Sequence, residues 1–330
     1  MAKKASFRLF VIGASSGGHS AVKAALANIP ADINAAFLVV IHSGYNTISN
    51  FVKHLSGRTS LKVVQASHNL EIEAGTVYIS IPDKHLVVQD GVMLLSYGPR
   101  ENLFRPSIDA LFRSAAVTYK NQCMGILLSG RLNDGTAGLE AIKDCGGLTM
   151  IQNPETAEFE EMPLFAQQHM VIDFIVNVED ISAVIDEISM DDLPPEKEAP
   201  VHLIRENAIA TNLKSDVIAT ESLGDRVPLS CPECKGVLWE MKNSNIVRYR
   251  CHIGHSYTEE ALVESKDNGL EEALWIALRT LEEKRMLLLK IISDYKKRNL
   301  SQLVLSYENK LEEVLRHINQ IRKVMQLEKQ

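Results

Sequence analysis

No apolar run in this chain approaches the ~20 residues that a membrane-crossing helix needs, so no membrane insertion is expected. The Lys3-Lys4 start is not followed by the apolar core of a signal peptide, and the reading is a cytoplasmic protein. Excess positive charge is missing too: the formal net charge is −7, which removes the usual electrostatic reason to expect a nucleic-acid partner. Cysteines are few, five in 330 residues. Cys123 and Cys145 are scattered, whereas Cys231, Cys234 and Cys251 cluster beside histidines, a pattern of metal binding and not of disulfides. Internal repeats and low-complexity tracts are absent. What remains is 45% hydrophobic and 23% charged, ordinary for a soluble globular protein, over a length that suits two domains.

From Phe7 to about Asp186, short apolar runs alternate with amphipathic stretches. The runs at 7–12, 36–41, 61–65, 76–80, 124–129, 148–151 and 174–176 read as strands, and 19–28, 47–57, 107–119, 134–145, 155–159 and 162–169 as helices. Apolar strands alternating with helices imply an α/β fold with a doubly wound, mainly parallel sheet covered on both faces. The runs 85–88 and 92–95 flank Asp90-Gly91, a strong hairpin signal, and so read as an attached antiparallel ribbon. The expected organisation is a first domain over 1–190 and a linker over 191–226. That linker is polar and proline-containing over 191–198 and weakly patterned over 201–226, where it is expected to drape over a neighbour. A small zinc ribbon over 227–258 and a helical module over 259–330 follow.

The informative turn is Gly13-Ala14-Ser15-Ser16-Gly17-Gly18, which joins the first strand to the first helix. Small residues there let a ligand approach the backbone, and a helix N-terminus offers free N–H groups. A dinucleotide site would carry a glycine at position 15 and an acidic residue after the next strand. This chain has Ser15, and its second strand ends in His42. A hydroxyl and a base at adjacent strand ends suit acyl transfer. The third member of such a triad is Asp134, which also follows a buried strand, so all three fall where open α/β sheets bind ligands. Taken singly, each has a plainer role: Ser15 or Ser16 as a helix cap, His42 as a structural histidine, Asp134 as the cap of the helix after Gly135.

Residues 8–186 resemble the catalytic domain of the CheB family of chemotaxis protein-glutamate methylesterases. The resemblance rests on Ile12-Gly13-Ala14-Ser15-Ser16-Gly17-Gly18, Val40-Ile41-His42, Ile81-Pro82-Asp83-Lys84-His85, Phe104-Arg105-Pro106-Ser107-Ile108-Asp109-Ala110-Leu111-Phe112 and Asn133-Asp134-Gly135. It implies that Ser15 is the nucleophile, His42 the base and Asp134 its orienting carboxylate. The implied reaction is hydrolysis of γ-glutamyl methyl esters on chemoreceptor helices, with glutamine deamidation in some members and no cofactor. Backbone N–H groups near Ser16 and in the turn at 131–133 would cradle the oxyanion. Arg105 would face the cleft, with Ser107 as the cap of its helix, whereas His19 and His85 read as structural or surface residues.

The chain departs from the family twice. Gly130-Arg131-Leu132 replaces Gly-Met-Gly, placing Arg131 on the rim and Leu132 where a positive φ is expected. Only six residues precede the first strand, so the expected protein lacks the family's phospho-receiver control. The alternative to an enzyme is a catalytically weak CheB-like scaffold in a chemosensory complex, and Arg131-Leu132 motivates it.

Cys231-x2-Cys234 and Cys251-x3-His255 form two knuckles with the spacing of a structural zinc ribbon. His252 is the alternative fourth ligand, but its adjacency to Cys251 makes joint coordination awkward. Nucleic-acid binding is not expected, because Glu233 and Glu240 oppose the few basic residues here. Shortened CheB-like proteins can carry a similar ribbon before helices of the Glu271-Glu272-Ala273-Leu274-Trp275 type. Beyond it, Val304, Tyr307, Leu311, Leu315, Ile318, Ile321 and Met325 make an apolar stripe, with a turn expected at Lys296–Asn299. The stripe is expected to close an intramolecular hairpin. It also offers a face for self-association or for a receptor-like helical partner.

Overall fold

The structure is a computed structural model that describes residues 7–212 and 217–327, so Lys3 and Lys4 lie outside the described residues. In chain order the first part comprises β1 (Arg8–Ala14), α1 (Gly18–Ala25), β2 (Ala35–Ile41), α2 (Tyr45–Ser56), β3 (Lys62–Gln65), β4 (Leu70–Glu71) and β5 (Thr76–Ile79). Then come β6 (His85–Gln89), β7 (Val92–Ser96), α3 (Ile108–Tyr119), β8 (Cys123–Leu127), α4 (Thr136–Asp144), β9 (Leu148–Gln152), α5 (Glu161–His169), β10 (Phe174–Val176) and α6 (Ile181–Met190). Seven of these strands form one parallel sheet in the order β10-β9-β8-β1-β2-β5-β3.

Both faces of that sheet are apolar because helices cover both. Leu9 and Val11 point to the side of α3 and α4, where Leu111, Phe112, Leu139 and Ile142 are buried. Phe10 and Ile12 point the other way, against Val22 of α1, Phe51 and Leu55 of α2, and Ile185 of α6. Period-two alternation along β1 thus feeds two separate cores. The expected ribbon is the β6–β7 hairpin, turned at Asp90 and Gly91 with φ of 51° and 83°, and β4 extends it to three strands.

The segment after Met190 behaves differently from a free linker. Arg8 donates to the carbonyls of Asp191 and Asp192, and Asn121 donates to that of Pro194, which straps the chain to the base of the sheet. Residues 201–226 then supply α7 (Val201–Asn212), α8 (Val217–Glu221) and the start of β11 (Gly224–Ser230). Leu203 enters the α3-side core, and Glu206 is only 1% exposed. Beyond β11, β12 (Val237–Met241), β13 (Arg248–Cys251) and β14 (Ser256–Thr258) complete a four-stranded antiparallel sheet. This ribbon belongs to the same compact unit as the parallel sheet.

A second unit runs from Val263 onward. It consists of the rest of α9 (Glu259–Lys297) and α10 (Ser301–Leu327). The chain reverses at Asn299, whose φ is 56°. Val314 and Ile318 pack on Leu288, with Tyr307 and Leu311 partly buried beside them. Ion pairs Lys296–Glu308 at 2.8 Å and Arg322–Glu282 at 3.0 Å link the two helices. Leu315 belongs to the stripe by spacing yet is 41% exposed, because its neighbour Val314 takes the place in the seam against Leu288. Among the described residues, no helix is long and apolar enough to cross a membrane.

Candidate active site

β8, β1 and β2 are neighbours in the sheet, and their C-terminal ends deliver the three expected side chains to one place. Ser15 follows β1 directly, with its N–H on the Ser129 carbonyl at 3.0 Å, while the His42 N–H meets the Ala14 carbonyl at 3.1 Å. Gly17 reaches φ +73° at the helix entry, and an added Cβ there would lie 2.8 Å from the Ser129 hydroxyl. Gly130 backs onto the serine: a Cβ would stand 2.9 Å from that of Ser15 and would collide with the sulfur of Met162. Ser129, unremarkable in the sequence, donates to the Ser16 carbonyl at 2.9 Å and accepts from Phe159 N–H at 3.0 Å. It clamps the serine turn to the loop before α5.

His42 Nδ1 lies 3.2 Å from Ser15 Oγ, and Nε2 lies 3.0 Å from Asp134 Oδ2. With its proton on Nε2, the neutral ring donates to the carboxylate and accepts from the hydroxyl. The ring also stacks on Phe104, centroids 3.6 Å apart and planes within 9°. The His42 side chain is 5% exposed and that of Asp134 fully buried. A hydroxyl–imidazole–carboxylate chain of this kind can activate the hydroxyl as a nucleophile.

Asp134 is held by more than the histidine. Oδ2 accepts from Ile108 N–H at 2.7 Å, and Oδ1 accepts from Ser107 Oγ at 2.9 Å, Asn102 Nδ2 at 3.0 Å and Asp109 N–H at 3.2 Å. Burial works against its charge, but the His42 contact and then the Asn102 and Ile108 donors keep its carboxyl below the usual range. Asp109 is the opposite case: burial first, and then the Asp134 charge, raise it to about 7. The capping roles read from sequence are therefore exchanged. Ser107 does not cap α3 with its side chain, because Asp134 accepts from the first N–H groups of that helix. Asp109 in turn accepts from Gly135 and Gly138 N–H at the start of α4, at 3.0 and 2.6 Å. Each helix is capped by a carboxylate distant in sequence, which a local capping rule cannot see.

The other expected residues are placed as follows. Arg105 is engaged by Asp83 at 2.7 and 3.0 Å and by the carbonyls of Tyr97 and Gly98, so its donors serve the ribbon. Its hydrogen bond holds the Asp83 carboxyl below the usual range. Arg131 is exposed and lies over the Phe159 ring at 4.9 Å. Ser16 is half-buried, its carbonyl taken by Ser129. His85 is fully buried between Ser107 N–H and the Pro99 carbonyl, and burial pushes its pKa down, so it is a neutral structural histidine. His19 lies edge-on to Phe51 at 4.8 Å, with its pKa lowered by burial and then by Lys23.

Leu132 sits at φ 63°, where L residues are strained by roughly 1–2 kcal/mol, and its N–H donates to Glu161 at 3.2 Å. Replacement Leu132→Gly is expected to raise stability by about 1 kcal/mol, read as the midpoint of denaturant unfolding. A clear loss of stability would show that the leucine side chain outweighs the backbone strain.

The ligand atoms of Cys231, Cys234, Cys251 and His255 all lie within 4.8 Å of one another. Cys234 and Cys251 sulfurs are 3.6 Å apart, and His255 Nδ1 is 3.5 Å from the Cys251 sulfur, spacings close to the edges of a tetrahedron around one ion. His255 Nε2 meets Glu233 at 3.0 Å, the outer carboxylate that commonly orients a metal-binding histidine. His252 is not in the cluster; its ring lies edge-on to Trp239 at 6.3 Å. The four residues can hold a metal ion.

The family description "CheB methylesterase" matches residues 10–185. A putative protein-glutamate methylesterase/protein-glutamine glutaminase of Leptospira interrogans is 33% identical over 189 residues, covering 57% of this chain and 98% of that protein. A protein-glutamate methylesterase/protein-glutamine glutaminase 2 of Anaeromyxobacter dehalogenans is 36% identical over 188 residues, 57% of this chain and 55% of that one. The crystal structure of the Thermotoga maritima CheB methylesterase catalytic domain aligns with TM-score 0.54 and 28% identity, covering 56% of this chain and 99% of that one.

Proposed function

The chain belongs to the CheB methylesterase family, and from that premise we propose that it is a serine hydrolase removing methyl groups from glutamyl methyl esters on a receptor-like helical protein. The observation that carries this reading is the continuous Ser15–His42–Asp134 hydrogen-bond chain at the C-terminal rim of the sheet. Ser15 Oγ attacks the ester carbonyl while Nδ1 of His42 takes its proton, and Asp134 stabilises the imidazolium. The proton then passes to the departing methoxide, releasing methanol. Water, deprotonated by His42, opens the acyl-enzyme to give glutamate. Glutamine follows the same route with ammonia as leaving group, in line with the glutaminase half of the relatives' names. Ser15 N–H goes to the Ser129 carbonyl and Leu132 N–H to Glu161, so the oxyanion is assigned to the Ser16 N–H and the remaining N–H groups of the 131–133 turn.

Incubation of the full chain with a fluorophosphonate, followed by peptide mass spectrometry, is expected to find the adduct on Ser15. An adduct elsewhere, or none, would remove Ser15 as nucleophile. One observation favours the scaffold alternative: the Leu132 N–H in the family's oxyanion turn is occupied by Glu161. The double replacement Arg131→Met, Leu132→Gly separates the two readings. A working esterase changes little, whereas a dormant scaffold gains methanol release.

The Cys231, Cys234, Cys251 and His255 cluster is assigned to a structural zinc. Three thiolates and an imidazole complete a tetrahedral shell, so the ion supplies folding free energy and no open position for water. Metal analysis is expected to give about one zinc per chain. A metal-free chain with a native ribbon would overturn the assignment.

A further inference from the structure

The ribbon does not simply follow the hydrolase in sequence; it reaches the catalytic carboxylate through four residues, Glu101–Phe104. The backbone there turns through two successive left-handed residues, Asn102 at φ 49° and Leu103 at φ 72°. Such a turn persists only when its surroundings over-determine it. Here the ribbon provides much of that determination. Asn102 N–H donates to the Ser256 carbonyl at 2.8 Å, and Thr258 N–H donates to Asn102 Oδ1 at 3.0 Å. Leu103 packs against the ribbon core of Cys231, Leu238, Cys251 and Tyr257. Glu101 pairs with Arg250 of β13 at 3.2 Å.

The other side of the same loop faces the triad. Asn102 Nδ2 donates to Asp134 Oδ1 at 3.0 Å and to Asp109 Oδ2 at 2.8 Å, and Phe104 stacks on His42. The residue before Asp134 is tied to the ribbon as well. Thr258 Oγ1 donates to Asn133 Oδ1 at 2.8 Å, and Asn133 Nδ2 donates to Glu260 at 2.6 Å. Ser256 and Thr258 lie one and three residues after His255, a member of the metal-binding cluster.

We propose that the metal-folded ribbon is a positioning element of the hydrolase, acting through Asn102, so that ester cleavage depends on a metal ion that never touches the substrate. The proposal rests on the hydrolase and zinc readings above and adds the coupling between them. Asn102 is a positioning residue: its carboxamide fixes the orientation of Asp134 and shares the space between Asp134 and Asp109. Without the ion the knuckles separate, β14 loses its register, and the acceptor and donor that hold Asn102 are lost with it.

The test uses the full chain and the labelling rate of Ser15 by a fluorophosphonate. In that reaction the Oγ–P bond forms, fluoride leaves and the hydroxyl proton passes to His42, so the rate reports on the triad without a protein substrate. Stripping zinc with a chelator is expected to slow labelling at least about tenfold, with recovery when zinc is returned. Because a stripped chain can lose more than the ribbon, Asn102→Gly provides the second arm. Glycine keeps the left-handed backbone and the N–H to Ser256 but removes the carboxamide. This variant is expected to retain its zinc yet label about ten- to a hundredfold more slowly. Its acid limb should also move to higher pH, since Asp134 loses a donor to its charged form while still facing His42, His85 and Asp109. Equal labelling of zinc-loaded and stripped chains would overturn the proposal, as would parental rates and a parental pH profile in Asn102→Gly. Absence of zinc from the parent, or of any Ser15 adduct, would instead overturn the readings on which it rests.

Discussion

Ser15→Ala is expected to lower methanol release from a methylated receptor by about 10⁴-fold or more while leaving the unfolding midpoint near that of the parent. The size follows from the chemistry: no other hydroxyl stands in hydrogen-bond contact with His42 among the described residues. The neutrality in stability follows from the structure, because the Ser15 N–H to Ser129 carbonyl bond and the Gly130 contact survive the change. Asp134→Asn should be nearly as damaging, since an amide NH2 in the place of Oδ2 would face the Nε2 donor with another donor and strand the Ile108 N–H. Turnover within a few-fold of the parent in Ser15→Ala would remove this residue from the mechanism.

Glu206→Ala is expected to cost about 3–5 kcal/mol of stability, the second large effect, although the residue lies far from Ser15 in sequence and has no place in the proposed chemistry. Glu206 accepts from Arg248 at 2.8 and 3.2 Å, from Arg250 at 2.8 Å and from Arg113 at 3.3 Å. All four side chains are at most 6% exposed. Removing the carboxylate leaves buried Arg113 and Arg250 sharing Glu101 and takes from buried Arg248 the carboxylate it donates to. The same cluster gives the stability a pH signature. Burial opposes the charge on both glutamates, but the arginines win, holding Glu206 well below the usual carboxyl range and Glu101 at about 2. Carboxyls depressed on folding contribute fully above their unfolded pKa near 4.3, and that contribution is lost as pH falls toward about 2. Calorimetry of parent and variant across this range measures both effects; an unchanged midpoint in Glu206→Ala would show that the cluster contributes nothing net.

The α/β alternation, the strand ends and the serine turn were legible because they are local patterns. A fully apolar strand buried on both faces, a glycine-flanked serine turn and a histidine closing the next strand are each written within a few residues. Cys231, Cys234, Cys251 and His255 were legible for the same reason, since knuckle spacing is a short-range signal. The Asp90-Gly91 hairpin required nothing beyond its own two residues.

What could not be read locally was every partner of those residues. Residues 201–226 read only as weakly patterned chain draped over a neighbour, with nothing to name the contact; the structure buries Glu206 there among three arginines drawn from α3 and β13. Ser107 looks like a helix cap, but its hydroxyl goes to Asp134, 27 positions away. Asn102 and Ser129 carry no motif at all, Phe104 belongs to one that says nothing of the ring it covers, and their importance arises from neighbours up to 156 positions distant. The sequence by itself determined which groups can do chemistry, because reactivity belongs to residue type and short spacing. Only the tertiary structure decided their environment: a hydrogen bond or a buried charge is a property of pairs, and the pairs around Asp134 form only after the sheet and ribbon have folded together.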